Sequence, residues 1–265
     1  MGTGFLRFSD VSVRLNYLLM TLFSLWPLAD AQADDPLQFQ SSDRQAVLVE
    51  LFSSQGCSSC PRAEAWLNTL KDHKDMWKMV VPVSLHVDYW DHLGWKDPFA
   101  SPAFTQRQYR YKETKRLGSV YTPCFVLNGK EWKGWFAGQK LPKEKSKAGI
   151  LSATLQENRL EVRYSEKQEP LALHVAILGM GLETEVPRGE NRDRRLKEGF
   201  VALNHQTYTA KEATWSIQLP KTLKHTAPRY ALALWVCRPD ELAPLQATGT
   251  WLPDDLFSFS ADAEP

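Results

Sequence analysis

Cysteine is scarce in this chain: only Cys57, Cys60, Cys124 and Cys237 occur among 265 residues. Four are too few for a disulfide scaffold, and a chain of this length can bury a core without one. An excess of one charge is also lacking, since 32 Lys and Arg face 31 Asp and Glu, a formal net charge of +1. That balance leaves no electrostatic footprint for nucleic acid or an anionic membrane surface. There is no dinucleotide fingerprint and no phosphate loop, so no organic cofactor is implied. Internal repeats and low-complexity tracts are missing as well. After residue 33 no run is apolar enough to span a bilayer.

What is present begins with a leader-like segment. Arg7 and Arg14 make a positive start, 17–29 is an apolar run broken only by polar Thr21 and Ser24, and Ala31-Gln32-Ala33 offers a small-x-small cleavage site. The run falls short of the ~20 apolar residues that a spanning helix needs. Residues 1–33 are therefore expected to be a signal peptide, with an uncleaved anchor as the rival reading. A periplasmic or secreted mature protein follows, without stable membrane insertion after cleavage. Ten Trp residues suggest a well-packed core, an aromatic contact surface, or both.

Along the mature chain, 46–52 (AVLVELF) reads as a buried strand, and the apolar spacing of Ala63, Trp66, Leu67 and Leu70 as a helix that begins at Pro61. Residues 80–87 read as a second strand and 101–117 as a second helix. Residues 124–127 follow as a third strand, which Asn128-Gly129 turns into a hairpin with 131–135. A Lys/Gly-rich stretch over 138–149 looks like a linker. Beyond it, short alternating runs at 151–155, 160–164, 171–178, 200–208, 214–219, 230–236 and 246–252 argue an all-β sandwich. The Arg/Glu-dense stretch 187–198 reads as a solvated loop of mixed charge.

Gly56-Cys57-Ser58-Ser59-Cys60-Pro61 is the informative motif, at the junction of a strand and a helix start. Thiol–disulfide exchange needs a thiolate nucleophile and a second thiol close enough to resolve the mixed disulfide. Two intervening residues at a helix N-terminus meet that need, and the free N–H groups there favour a thiolate on Cys57. Cys60, one turn in, would act second. A static local disulfide and half of a zinc site are the competing readings, though no other CxxC or HxxxH completes a zinc set.

Residues 46–135 resemble the thioredoxin superfamily. More narrowly, VELFSSQGCSSCP, the segment from His86 to Gln108 and VYTPCFVLNG are similar to secreted proteins carrying domain of unknown function 1223. The resemblance covers nearly the whole mature chain; together with the patterning above, the expectation is an α/β thioredoxin-like domain (34–137), a linker (138–149) and an all-β sandwich-like domain (150–265). It implies that Thr122-Pro123 is a cis step beside the dithiol that presents backbone to a substrate. It further implies that Glu50 is a buried acid relaying a proton to or from Cys60; a plain strand carboxylate is the other reading of Glu50. Cys124 stands where the pattern has Gln, which makes it either a third thiol at the site or a buried strand cysteine. Trp90 and Trp95, in the loop after His86, are expected to form a substrate-side wall.

Three functional readings stay open on these residues. The first is an exported thiol–disulfide oxidoreductase acting on protein or small-thiol substrates, recycled by an unidentified redox partner. The second is a copper-handling protein in which Cys57, Cys60, Cys124 and His86 supply ligands, since Cu(I) favours thiolates. The third is a non-catalytic binding module with a structural disulfide.

Overall fold

The computed structural model describes residues 1–4, 35–144, 146–166 and 170–257. Apart from its first four residues, the expected signal peptide lies outside the described residues. The fold belongs to the unit Asp34–Pro265.

The described residues hold fourteen strands and two α-helices. The strands are β1 (Leu37–Gln40), β2 (Val47–Ser53), β3 (Val80–His86), β4 (Cys124–Leu127), β5 (Lys130–Glu131), β6 (Leu151–Gln156), β7 (Arg159–Tyr164), β8 (Leu171–Met180), β9 (Leu182–Val186), β10 (Arg194–Glu198), β11 (Val201–Ala210), β12 (Thr214–Gln218), β13 (Arg229–Cys237) and β14 (Gln246–Trp251). The helices are α1 (Cys60–Asn68) and α2 (Pro102–Glu113). Pro61 sits in the first turn of α1, where a missing N–H costs nothing. The Ser101 hydroxyl caps α2 by accepting the Ala103 N–H at 3.3 Å. Asn128 and Gly129 both take positive φ, as a two-residue hairpin turn between β4 and β5 requires.

Eight strands form one mixed sheet in the order β14-β13-β8-β11-β3-β2-β4-β5. Only the β2–β3 and β3–β11 neighbours run parallel. A four-stranded antiparallel sheet, β1-β6-β7-β12, packs behind it, and β9 and β10 form a separate hairpin. The expectation of a thioredoxin-like α/β domain followed by a distinct all-β sandwich is overturned. The protein is mostly β, and its main sheet draws strands from both expected domains. The join is a real ladder: Val201 pairs with Ser84, and the Ser84 N–H donates to the Phe200 carbonyl at 2.7 Å.

The cores explain why. β8 and β13 are buried along nearly their whole length. On one face Ala176, Leu178, Ala231, Ala233 and Trp235 join the core containing β2, β3 and α1. On the other, Leu173, Val175, Ile177, Leu232 and Leu234 meet Leu151, Leu160 and Trp215 of the back sheet. A strand with two apolar faces must be covered twice, so these two cannot belong to a free-standing sandwich. The stretch 138–149 is tied down too. Gln45 donates to Ser146 O at 3.0 Å, Ala148 donates to Asp43 O at 3.0 Å, and Arg44 bridges Lys147.

Candidate functional site

β2 ends at Ser53, and the chain then turns through Ser54-Gln55-Gly56 into α1. Gly56 is required by a close approach, because a Cβ there would meet the Trp90 Cβ at 2.8 Å. The turn delivers Cys57 just ahead of the helix and Cys60 as its first residue. Both are free thiols and both are 1 % exposed. Ser59, the residue before α1, makes no side-chain cap; its hydroxyl lies 3.3 Å from the Cys57 sulfur instead. The Thr122 hydroxyl faces both thiols and accepts the Trp90 indole N–H at 2.8 Å. The Thr122-Pro123 bond is cis.

These contacts split the two proton affinities. The Cys57 pKa is pulled down to about 6, chiefly by the hydrogen bond it accepts from the Cys60 thiol; burial opposes this, and Ser59 and Thr122 add to it. Cys60 moves well above the usual thiol range, first through burial and then through its neighbour Cys57. A thiolate-forming outer cysteine beside a protonated inner one is the arrangement that exchange chemistry needs.

The other expected site residues divide by sheet face. In β2, Glu50 and Phe52 point toward α2; Leu51 and Ser53 point toward α1. Glu50 therefore lies on the face away from the helix that carries Cys60. Its carboxylate accepts Arg107 Nε at 2.6 Å and the Tyr111 hydroxyl at 2.5 Å. Burial opposes the Arg107 charge, yet Glu50 holds the guanidinium firmly protonated, above its ordinary range. Glu50, expected as a proton relay to Cys60, is placed as half of a buried ion pair between β2 and α2.

Cys124 pairs with Phe52 and so shares the Glu50 face. Its thiol meets Tyr121 and Gln108, not the dithiol, and burial pushes its pKa up to about 12. It is a core cysteine. Cys237, at the end of β13, is buried and pushed up to about 12 in the same way.

Trp90 and Trp95 are half-buried beside the dithiol turn, with the Trp95 indole donating to Gln55 Oε1 at 3.0 Å. His86 is completely buried, with Nδ1 2.7 Å from Asp97 Oδ2 and Nε2 3.4 Å from Glu64 Oε1. Its imidazole thus faces carboxylates. Among the described residues no group of three or more His, Cys, Asp or Glu is placed to hold a metal ion, and Cys57, Cys60, Cys124 and His86 do not form one ligand set.

Sequence reasoning missed the contribution of the β9–β10 hairpin, which 187–198 was expected to leave as a solvated loop. Asn191 is buried and donates to the carbonyls of Gln55 and Cys57, both at 2.9 Å. Arg194 Nη1 holds the Asn191 oxygen at 2.9 Å. The exposed Glu190 carboxylate accepts the Ser58 N–H at 3.0 Å. Glu198 reaches the underside of α1, and Glu64 lies on the inward face of that helix. Only Glu64 left a signal, since four residues after Cys60 is the same helical face.

Fold and site together define a mostly β protein with a buried, unequally protonated dithiol at the end of a central strand. The chain belongs to the family described as protein of unknown function (DUF1223), whose model matches residues 48–237. A crystal structure of an Agrobacterium tumefaciens protein, determined as a structural-genomics target, is similar at TM-score 0.56 and 25% identity, covering 81% of this chain and 96% of that one. HBP35 of Porphyromonas gingivalis shares the fold at TM-score 0.51 and 14% identity, over 85% of this chain and 80% of that one. None of the curated proteins matches the chain significantly.

Proposed function

We propose that the protein is an exported thiol–disulfide oxidoreductase, with Cys57 as nucleophile and Cys60 as resolving thiol. The observation that carries this reading is the geometry of the turn: two free, adjacent thiols at the end of β2 and the start of α1, with the Ser59 hydroxyl 3.3 Å from the Cys57 sulfur and the Thr122 hydroxyl facing both. The Cys57 thiolate attacks a substrate disulfide, forming a mixed disulfide and releasing one substrate thiolate. Cys60 then attacks the Cys57 sulfur, its proton departs, and the second substrate thiolate leaves. One substrate disulfide becomes two thiols as the dithiol becomes a disulfide, and the reverse sequence oxidises a substrate dithiol. Cys57 is only 1 % exposed, so an incoming disulfide must displace part of its surround. The exposed Ser58 and Ser59 mark the side open to solvent. Substrates are exported proteins or small thiols, and a separate redox partner restores the dithiol.

Alkylation of the reduced protein by iodoacetamide tests the assignment. Cys57 is expected to react first, with a rate that rises with pH through a midpoint near 6. A midpoint at or above the ~8.5 of an ordinary thiol, or earlier labelling of Cys60, would reverse the roles.

A further inference from the structure

The dithiol segment carries no charged residue of its own: two serines separate Cys57 from Cys60, and Thr122 is the hydroxyl that faces both thiols. Among the described residues, one charged side chain hydrogen-bonds to it. The exposed Glu190 carboxylate accepts the Ser58 N–H at 3.0 Å, one residue past the nucleophile. Ser58 and Ser59 are the exposed residues of the segment, so Glu190 stands on the side from which a disulfide must approach Cys57.

Its neighbours hold it there. Asn191, the next residue, is buried and ties the hairpin turn to the carbonyls of Gln55 and Cys57. Gly189, on the other side, has a φ of +80°, and a Cβ on it would stand 3.6 Å from the Trp95 Cβ. The turn between β9 and β10 is thus seated between the dithiol and the loop that carries Trp95. The cations of the hairpin are engaged with other groups. Arg192 pairs with Asp193 at 3.2 Å, Lys197 with Glu183 at 2.9 Å, Arg195 with Glu183 as well, and Arg194 with the Asn191 oxygen. Among the described residues none of these, nor Arg188 or Arg62, forms an ion pair with Glu190. The Ser58 N–H and hydroxyl, not a cation, hold its carboxyl below the ordinary range, so it is ionised at neutral pH.

We propose that Glu190 makes the site select disulfides flanked by positive charge, as in lysine- or arginine-rich segments of exported polypeptides, over anionic ones. This rests on the exchange reading above. The Cys57 thiolate attacks the nearer sulfur of such a disulfide. A Cys57–substrate bond forms as the substrate S–S bond breaks, and the departing sulfur keeps the electron pair and takes a proton from solvent. Glu190 takes no part in that exchange of bonds. It attracts a flanking cation as the sulfur comes into line, and it repels a flanking carboxylate.

A charge placed this way works mainly on encounter and discrimination, because a juxtaposed like charge costs more than a juxtaposed opposite charge gains in water. Its reach is about 10 Å at 0.1 M ionic strength, enough to cover groups flanking a disulfide that touches Cys57. Half-buried Trp95, against the same turn, sets an aromatic side chain near the carboxylate, and that combination suits an ammonium or guanidinium group.

The test mixes the reduced full chain with cystamine (cationic), dithiodipropionate (anionic) or hydroxyethyl disulfide (neutral). After an acid quench, adduct plus internal disulfide is counted by mass spectrometry. The thiolate's own charge and the reagents' reactivities bias the raw rates, so the readout is the cystamine-to-dithiodipropionate rate ratio of each variant against that of the unmodified protein. At an ionic strength of roughly 0.01 M, Glu190→Gln should lower that ratio about threefold or more, and Glu190→Lys should lower it further. The difference between the unmodified protein and Glu190→Gln should vanish at about 1 M salt, which a merely structural effect would survive. Glu185→Gln, which removes another exposed charge from β9, should keep the ratio. A ratio unchanged in Glu190→Gln and Glu190→Lys, or lowered equally by Glu185→Gln, overturns the charge selection alone. If none of the three disulfides, the neutral one included, oxidises Cys57 in the unmodified protein, the exchange reading itself fails.

Discussion

Cys57→Ser is expected to abolish exchange with any disulfide, and Cys60→Ala to accumulate protein covalently linked through Cys57. The asymmetry follows from position. Cys57 receives hydrogen bonds from Cys60, Ser59 and Thr122 that favour its thiolate, while Cys60 is buried and held protonated. Removing the nucleophile removes the first bond-forming step, and no other thiol replaces it, because Cys124 and Cys237 sit in the core with pKa values near 12. Removing the resolving thiol leaves the first step intact and blocks the second, so the mixed disulfide persists. Non-reducing electrophoresis of extracts from cells expressing the two variants reads this directly. Adducts with Cys57→Ser, or none with Cys60→Ala, would contradict the assignment.

Arg107→Met is expected to destabilise the protein by about 3–5 kcal/mol, the usual cost of stranding one member of a buried ion pair. Glu50 is fully buried and Arg107 nearly so, and Tyr111 completes a network whose hydroxyl also reaches Glu50. The guanidinium further packs over the Trp235 ring, 5.6 Å from its centroid, so the substitution disturbs the join between the two halves of the main sheet. The double variant Glu50→Leu/Arg107→Met should recover much of the loss, since no unpaired charge remains. Urea unfolding with an unchanged slope measures both. A loss below about 1 kcal/mol in the single variant would mean that the pair contributes no more than an exposed one.

The outcome for Glu50 shows what the sequence could and could not convey. The strand itself was legible as an apolar, β-branched run, and β2 forms over Val47–Ser53. Which face Glu50 occupies depends on strand pairing and on the element covering each face, and neither leaves a local mark. The same holds for the sheet as a whole. The apolar runs of β8 and β13 announce burial, but not that two different cores bury them. β1, short and alternating, pairs with β6 more than a hundred residues away and went unread. At the site, the CxxC spacing and the strand-to-helix junction were legible because the chemistry is local. Asn191 and Glu198 reach the dithiol turn across more than 130 residues, carried by a hairpin whose charge-rich sequence resembles an ordinary surface loop. Long-range partners of this kind follow from topology, not from periodicity.

If Cys57 and Cys60 cycle between dithiol and disulfide, their reduction potential lies where physiological thiols can reach it. The full chain is equilibrated in glutathione or dithiothreitol redox buffers, free thiols are alkylated, and the oxidised fraction is read by mass. A two-electron couple confined to Cys57 and Cys60 is expected, with a potential above about −300 mV, within reach of physiological thiol partners. A potential below that value, with the pair staying oxidised throughout, would mark a static structural disulfide and exclude the exchange role.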